Sequence, residues 1–252
     1  MNATFHDLKD ASVFITGGGN GIGAALTEGF LAQGAKVTFV GRSDATGFAD
    51  QMQATHGNRP LFIQCDITDT AALQAAVDQA VAAHGPLAAL VNNAANDMRY
   101  DAMKITPEIW DESQAVNLKA YFFACQKAAS LMGPSGSIIN YSSISYMMGG
   151  AGMVPYVSAN AGIVGMTRAL AREWGPKGIR VNAIAPGWVF TDKQETMWAT
   201  PALKAAFLEK QCLQTFLQPS DMVGGTLFLA SNASAMMTGQ TMVIDAGVVG
   251  TG

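Results

Sequence analysis

The sequence predicts an α/β fold: a doubly wound parallel sheet with helices on both faces. Three observations carry this. Short β-branched apolar runs alternate with longer Ala- and Leu-rich amphipathic runs along the whole chain. The apolar runs are continuously hydrophobic, as strands covered on both faces require, and the helical runs between them supply right-handed crossovers. A glycine-rich turn follows the first apolar run directly, where such a fold passes from its first strand to its first helix.

Taken in order, the strand runs are "SVFIT" from Ser12 to Thr16, "KVTFV", "LFIQC", "LAALV", "SIINY", "RVNAIA" and finally "TMVID". Between them lie helical stretches such as "GIGAALTEGFLAQG" and "TAALQAAVDQAVAAHG", each closing on a glycine suited to a left-handed C-terminal cap. No repeat, low-complexity tract or Pro/Ser-rich linker divides the chain, so residues 1–252 read as one domain. A helical region around residues 191–218 breaks the strand/helix rhythm and reads as an inserted lid.

Composition narrows the function. With 252 residues, 49% of them hydrophobic, the chain can bury a parallel sheet. A net charge of −4 with only 13% charged residues leaves no basic face for nucleic acid and no polybasic lipid anchor. The start, "MNATFHDLKD", is polar and acidic where a signal peptide would be basic and then apolar, and no run is long enough to span a bilayer. A cytoplasmic protein without nucleic acid or membrane partners is expected. Cys65, Cys125 and Cys212 are odd in number and widely spaced, which fits neither a disulfide framework nor a zinc site; they read as small core hydrophobes, and no metal is expected.

Several motifs carry chemistry. In "ITGGGNGIG", Ile15 to Gly23, a strand runs into glycines and then a helix, so backbone N–H groups and the positive helix end can approach a pyrophosphate. Gly17, Gly19, Asn20, Gly21, Ile22 and Gly23 form that candidate loop, with Gly17, Gly21 and Gly23 carrying its geometry; a merely tight turn is the competing reading. Asp66, with Ile67 in "CDIT", ends the third strand and can accept from the amine of a base or cap the next helix, although Thr68 or Asp69 suits capping better. In "NNAAN", the small Ala94 and Ala95 let a cofactor lie against the strand ends while Asn93 knits neighbouring backbones.

Taken together, "TGGGNGIG", "NNAA", Asn117 in "AVNL", "NYSSIS", "PYVSAN" and "IRVNAIAPG" resemble the short-chain dehydrogenase/reductase family, in order and over nearly the whole chain. The resemblance implies a Rossmann-like nucleotide-binding domain whose catalytic asparagine, serine and tyrosine fall on Asn117, Ser143 and Tyr156. Ser143 is chosen over Ser142 by its spacing from Tyr156 and by strand alternation, which points the two serines to opposite sides. The resemblance extends the nucleotide site to Tyr156 and Asn160, and to Pro186, Gly187, Val189 and Thr191.

The family's lysine falls on Asn160. The resemblance implies that Tyr156 exchanges a proton with a substrate hydroxyl while hydride moves to or from the nicotinamide. An unperturbed tyrosine has a pKa of about 10, so on the order of one molecule in a thousand is phenolate at pH 7. A lysine roughly 4 Å away, at an effective dielectric of ~20, supplies up to about 4 kcal/mol toward phenolate. Asn160 keeps the i, i+4 position and a hydrogen bond for a ribose hydroxyl but brings no charge. An otherwise working enzyme, impaired at this position, is the expectation.

Further stretches, "NNAANDMR", "SSISY", "GMTRALARE", "FTDKQ", "EKQCL" and "VIDAG", resemble the sugar-oxidising members, the short-chain xylose dehydrogenases and related aldose 1-dehydrogenases. That implies oxidation of an anomeric hydroxyl to a lactone. Asn96, Asp97, Arg99, Ser145 and Gln194 then suit sugar hydroxyls beside Ser143 and Tyr156, and Trp188 and Trp198 can cover an apolar ring face. Equally open is a solvated Asp97–Arg99 ion pair with the tryptophans as lid packing. For the nucleotide, Gly41 stands where an acid would bind the ribose diol of NAD, and Arg42 can pair with the 2′-phosphate of NADP. Asn20 in place of a basic residue and the nearby Asp44 argue for NAD, but Arg42 outweighs them, so NADP is expected with NAD as the alternative. Rival readings are another carbonyl, polyol or 3-oxoacyl reductase, and a non-catalytic nucleotide sensor. Broad apolar faces on the helix around Asn117 and on the one beginning at Tyr156 predict a homotetramer or at least a dimer.

Overall fold

The computed structural model describes residues 3–250. Its strands are β1 (Ser12–Thr16), β2 (Lys36–Gly41), β3 (Leu61–Gln64), β4 (Leu87–Asn92), β5 (Met132–Tyr141), β6 (Arg180–Pro186) and β7 (Thr241–Ile244). They form one seven-stranded parallel sheet in the order β3-β2-β1-β4-β5-β6-β7. Each expected strand is present within a residue of its sequence bounds except β5, which begins at Met132 rather than Ser137. A register irregularity between β4 and β5, with Ser135 at a φ of 78°, joins this early segment to the regular strand.

Burial on both faces explains the unbroken hydrophobicity. Val13 and Ile15 of β1 pack with Leu26 and Phe30 of α1 (Gly21–Ala32), whereas Phe14 between them packs with residues of α3 (Thr70–His84). The remaining early helix, α2 (Thr46–His56), follows β2. Asp69 caps α3 by accepting from the Ala72 N–H at 3.0 Å. Gly85 closes α3 at a φ of 85° but a ψ of −173°, an extended glycine conformation rather than the left-handed cap expected.

The helix expected to run unbroken through Asn117 is divided. Helix α4 (Pro107–Gln114) passes into a π-turn (Ala115–Lys119) and then α5 (Ala120–Ala129). Such insertions widen the helix so that one side chain is presented differently from its neighbours, here Asn117. Helix α7 (Val154–Trp174) starts two residues before Tyr156, with Pro155 in its first turn. Trp110, Phe122 and Val154 on these helices stay exposed.

After the short helix α6 (Ser145–Met148) and α7, the chain runs through β6 and leaves the sheet. The excursion holds α8 (Asp192–Met197) and α9 (Pro201–Leu208), then an irregular return to α10 (Asp221–Ala230). A parallel bridge between Val189 and Leu217 closes its base. Cys65 and Cys125 are buried, as expected, but Cys212 lies exposed on the return segment, which passes over the surface and not through a core.

Arg180 begins β6 at the end of the sheet away from the β-strand C-termini. It is 7% exposed and donates to the carbonyls of Leu229 (2.8 Å) and Ser231 (3.1 Å) and to Ser234 Oγ (2.8 Å), tying β6 to the end of α10. Arg180→Met removes three buried bonds from a charged donor while Leu229 and Ser231 keep weaker ones from Ser137 and Ser234, and a loss of roughly 2–3 kcal/mol is expected. Thermal unfolding should show a Tm lower by about 5–10 °C with nucleotide affinity unchanged.

Candidate active site

The strand order reverses between β1 and β4, and the loops leaving the C-terminal ends of the strands there open a crevice, the usual ligand position in such a sheet. Positive φ at Gly17 (69°) and Gly21 (50°) shapes the loop after β1. A Cβ on Gly23 would fall on the Gly17 carbonyl oxygen, so only glycine lets α1 start this close to the loop. Ala24 N–H is the first in α1 to find a carbonyl, that of Asn20 at 3.0 Å; among the described residues no N–H from Gly18 to Gly23 has a partner. That row of free donors fits a pyrophosphate.

Asn93 stitches the loop to β4. Its Nδ2 donates to the carbonyls of Thr16 (3.1 Å) and Gly17 (3.2 Å), while Thr16 Oγ1 accepts from the N–H groups of Asn93 (3.0 Å) and Ala94 (3.1 Å). Ala94 packs against Gly17, and the Thr191 methyl lies over Gly21. Gly187 has no room for a side chain against Asp245, and its N–H donates to the Ile244 carbonyl at 2.9 Å. Pro186 accepts from the Ile144 N–H at 3.1 Å, and Val189 is buried in the bridge to Leu217. Ile67 is buried under α3, beside Asp66.

A cavity of about 270 Å³ joins Arg42, Asp66 and Thr68 to Asn96 and to Ser113 in α4. Asp66 Oδ1 accepts from the Thr68 N–H (2.9 Å) and hydroxyl (2.8 Å). These bonds, with Arg42 adding to them, hold its carboxyl below the ordinary value against a smaller burial effect. Asp44 faces Thr46 instead, accepting from its hydroxyl at 2.6 Å and its N–H at 2.9 Å. Arg42 is exposed at the cavity and Asp44 is occupied at the start of α2.

Asn117 is 1% exposed and clamps the backbone of Asn96 twice: its Oδ1 accepts from the Asn96 N–H (2.8 Å) and its Nδ2 donates to the Asn96 carbonyl (3.0 Å). It also donates to Ser113 Oγ at 3.3 Å. The π-turn thus fixes the path of the chain after β4, and Ser113, four residues earlier on the same helix side, is a partner the sequence spacing could have supplied.

Ser142 and Ser143 diverge at the end of β5. Ser142 donates to the Asn160 carbonyl at 3.0 Å, and Ser143 Oγ accepts from the Ser145 N–H at 3.1 Å. Burial pushes the Tyr156 hydroxyl up to about 12, with the Asp97 charge adding to it, while the neighbouring Ser143 and Asn160 side chains oppose the shift. Asn160, 2% exposed, donates from Nδ2 back to the Tyr156 carbonyl at 2.9 Å. Tyr121, four residues after Asn117, is buried against Tyr156, raised well above the ordinary value by burial first and Tyr156 next, and its hydroxyl has no described partner.

A polar group whose carboxylate acts on Tyr156 comes from two segments. Asp97 does not pair with Arg99: its Oδ1 accepts from Lys193 at 2.5 Å and its Oδ2 from Gln194 Nε2 at 2.6 Å. Gln194 Oε1 in turn accepts from Trp188 Nε1 at 2.8 Å. Burial pushes the Asp97 carboxyl up, but the bonds from Lys193 and Gln194 outweigh it and hold the acid below its ordinary value. Arg99 lies 4.4 Å over the Trp198 ring. Trp188 stacks on Phe190 (4.8 Å) and meets Phe207 edge-on (5.4 Å), so it packs the base of the excursion. Ser145 Oγ and Trp198 Nε1 are buried without a described partner. No potential metal-binding cluster occurs among the described residues, and no described helix is long and apolar enough to cross a membrane.

This arrangement matches a family of known proteins. The family model described as enoyl-(acyl carrier protein) reductase, of the short-chain dehydrogenase type, matches residues 17–249. The chain is a short-chain dehydrogenase/reductase. It is 46% identical over 251 residues to a probable galactose dehydrogenase of Rhizobium meliloti, covering 98% of each chain. To a D-xylose 1-dehydrogenase of Caulobacter vibrioides it is 41% identical over 249 residues, again 98% of each. Among solved structures, a short-chain dehydrogenase of Burkholderia cenocepacia in complex with NADP superposes with a TM-score of 0.89 at 31% identity, over 96% of this chain and 98% of that one. This short-chain dehydrogenase/reductase is therefore an oxidoreductase with sugar dehydrogenases among its relatives.

Removing the carboxylate charge that opposes Tyr156 ionisation should lower the tyrosine's pKa. Asp97→Asn is expected to move the alkaline midpoint of phenolate absorbance, taken as the difference from Tyr156→Phe, downward by on the order of half to one unit. An unchanged or raised midpoint would show that Asp97 does not act on Tyr156.

Proposed function

We propose that this chain is an NADP-dependent aldose 1-dehydrogenase, oxidising the anomeric hydroxyl of a sugar to the lactone, with turnover held down by Asn160. The observation that carries the reading is the hydrogen-bonded pair of Asp97 and Gln194 beside Tyr156, which would give the cleft a polar wall. An apolar acyl chain finds no match in such a wall, whereas a polyol satisfies it. Similarity to the galactose and xylose dehydrogenases supports the same substrate class.

The free N–H groups from Gly18 to Gly23 bind the pyrophosphate, and Arg42 beside Asp66 takes the 2′-phosphate while Asp66 meets the base. An oxidised nicotinamide nucleotide held by these residues would supply the hydride acceptor for the sugar C1. Ser143 holds the anomeric hydroxyl, and Tyr156, in its phenolate form, receives that hydroxyl's proton and becomes the neutral phenol. Asn117 acts at one remove, by fixing Asn96 and hence the loop that carries Asp97. Asn160 contributes a hydrogen bond where a cation would favour phenolate, so proton removal is the step that suffers. Residues 191–218 form a lid whose first helix carries Gln194 to the substrate.

Two experiments test this. Asn160→Lys should raise the aldose-dependent rate at neutral pH by on the order of a hundred- to a thousandfold, each tenfold step being ~1.4 kcal/mol. Tyr156→Phe should abolish what turnover the unmodified chain has. A flat response to both favours a nucleotide sensor, and preference for ketones over aldoses in the same assay favours another carbonyl or polyol reductase. For the nucleotide, Arg42→Ala should weaken NADP on the order of tenfold or more and NAD far less, as read by equilibrium fluorescence titration. Equal losses would remove Arg42 from the 2′-phosphate.

A further inference from the structure

Lys193 stands in an unfavourable place for its own helix. It lies in the first turn of α8, where the helix dipole disfavours a cation. What holds it there is Asp97, far away in sequence, through the 2.5 Å ion pair. The Asp97 side chain is 17% exposed and the Lys193 side chain 45%, so the pair sits at the cleft mouth with its carboxylate end inward. The neighbouring Gln194 binds the other carboxylate oxygen and the Trp188 indole, so the two bonds from α8 fix the carboxylate's rotation as well as its position.

We propose that Lys193 is the positioning residue of the substrate half of the site. Its pair with Asp97 docks α8 on the loop after β4 and aims the remaining carboxylate lone pairs at the hydroxyls of a polyol. Each Asp97 oxygen accepts one bond from α8 and keeps room for another. Without Lys193 the carboxylate keeps only a neutral amide donor, α8 loses its ionic contact, and the charge facing Tyr156 is left uncompensated. The proposal rests on the sugar reading above for its ligand, but not for the docking itself.

The test compares Lys193→Met, Lys193→Arg and Lys193→Met combined with Asp97→Asn. Hydrogen exchange of residues 192–208 is followed in protein free of nucleotide and sugar, and steady-state kinetics with a panel of aldoses in the unmodified and Asn160→Lys backgrounds. Lys193→Met should speed exchange in α8 by roughly fivefold and raise the aldose KM by about tenfold, with kcat changed far less and the dissociation constant for NADP nearly constant. Lys193→Arg should restore most of both, and Lys193→Met should add little once Asp97 is Asn. High salt should speed α8 exchange in the unmodified chain but not in Lys193→Met. Unchanged exchange in Lys193→Met overturns the proposal, as does a parallel loss of aldose and nucleotide binding, which marks general loosening. If no aldose is turned over in either background, the sugar reading fails, and the exchange result still decides for or against the docking role.

Discussion

Hydrogen bonds from Asn93 and Ala94 to Thr16 and Gly17 hold the end of β1 to the end of β4, and both halves of the crevice depend on them. On one side they fix the glycine loop, whose N–H groups stay free because Gly17 and Gly21 turn the backbone outward. On the other they fix the start of the loop that runs through Asn96 to Asp97. The Asn117 clamp on Asn96 then passes the same constraint to the π-turn between α4 and α5. Because these contacts are side chain to backbone, they set chain paths without consuming the donors a ligand would need.

Tyr156 shows how such a frame sets the difficulty of a reaction. Its helix is in place and Ser143 lies near, yet the burial of its hydroxyl and the Asp97 charge both oppose the phenolate. A lysine at position 160 would offset those terms through its charge; asparagine spends its amide on the Tyr156 carbonyl one turn back in its own helix. Asn160 is almost fully buried and accepts from Ser142 at its carbonyl, and its side chain brings no charge to the site.

Asp97 places opposite demands on the site. A carboxylate near the cleft suits a polyhydroxylated ligand, and it disfavours the ionised tyrosine. Its bonds to Lys193 and Gln194 reconcile the two by compensating the charge and holding the side chain toward α8. The excursion is thereby tied at two points, at its base by Val189 and Leu217 and at its first helix by Asp97.

Local pattern determined much of this protein. Continuous apolar runs gave seven strands buried on both faces, strand alternation separated Ser142 from Ser143, and helical spacing placed Asn160 one turn from Tyr156. The glycines of the first loop were legible because a positive φ and a Cβ-free approach leave few alternatives to that residue. Contacts across the crevice were not legible. Asp97 was expected to meet sugar hydroxyls or, equally, to pair with Arg99, but pairs with Lys193 from another segment; Asp44 turned to Thr46; Cys212 came to the surface; and Asn117 interrupted its helix to reach Asn96. Periodicity reports which side of an element faces the core, and that is a local property. Which of several long polar side chains meets a given acceptor depends on how distant loops are brought together, and only the folded sheet decides that.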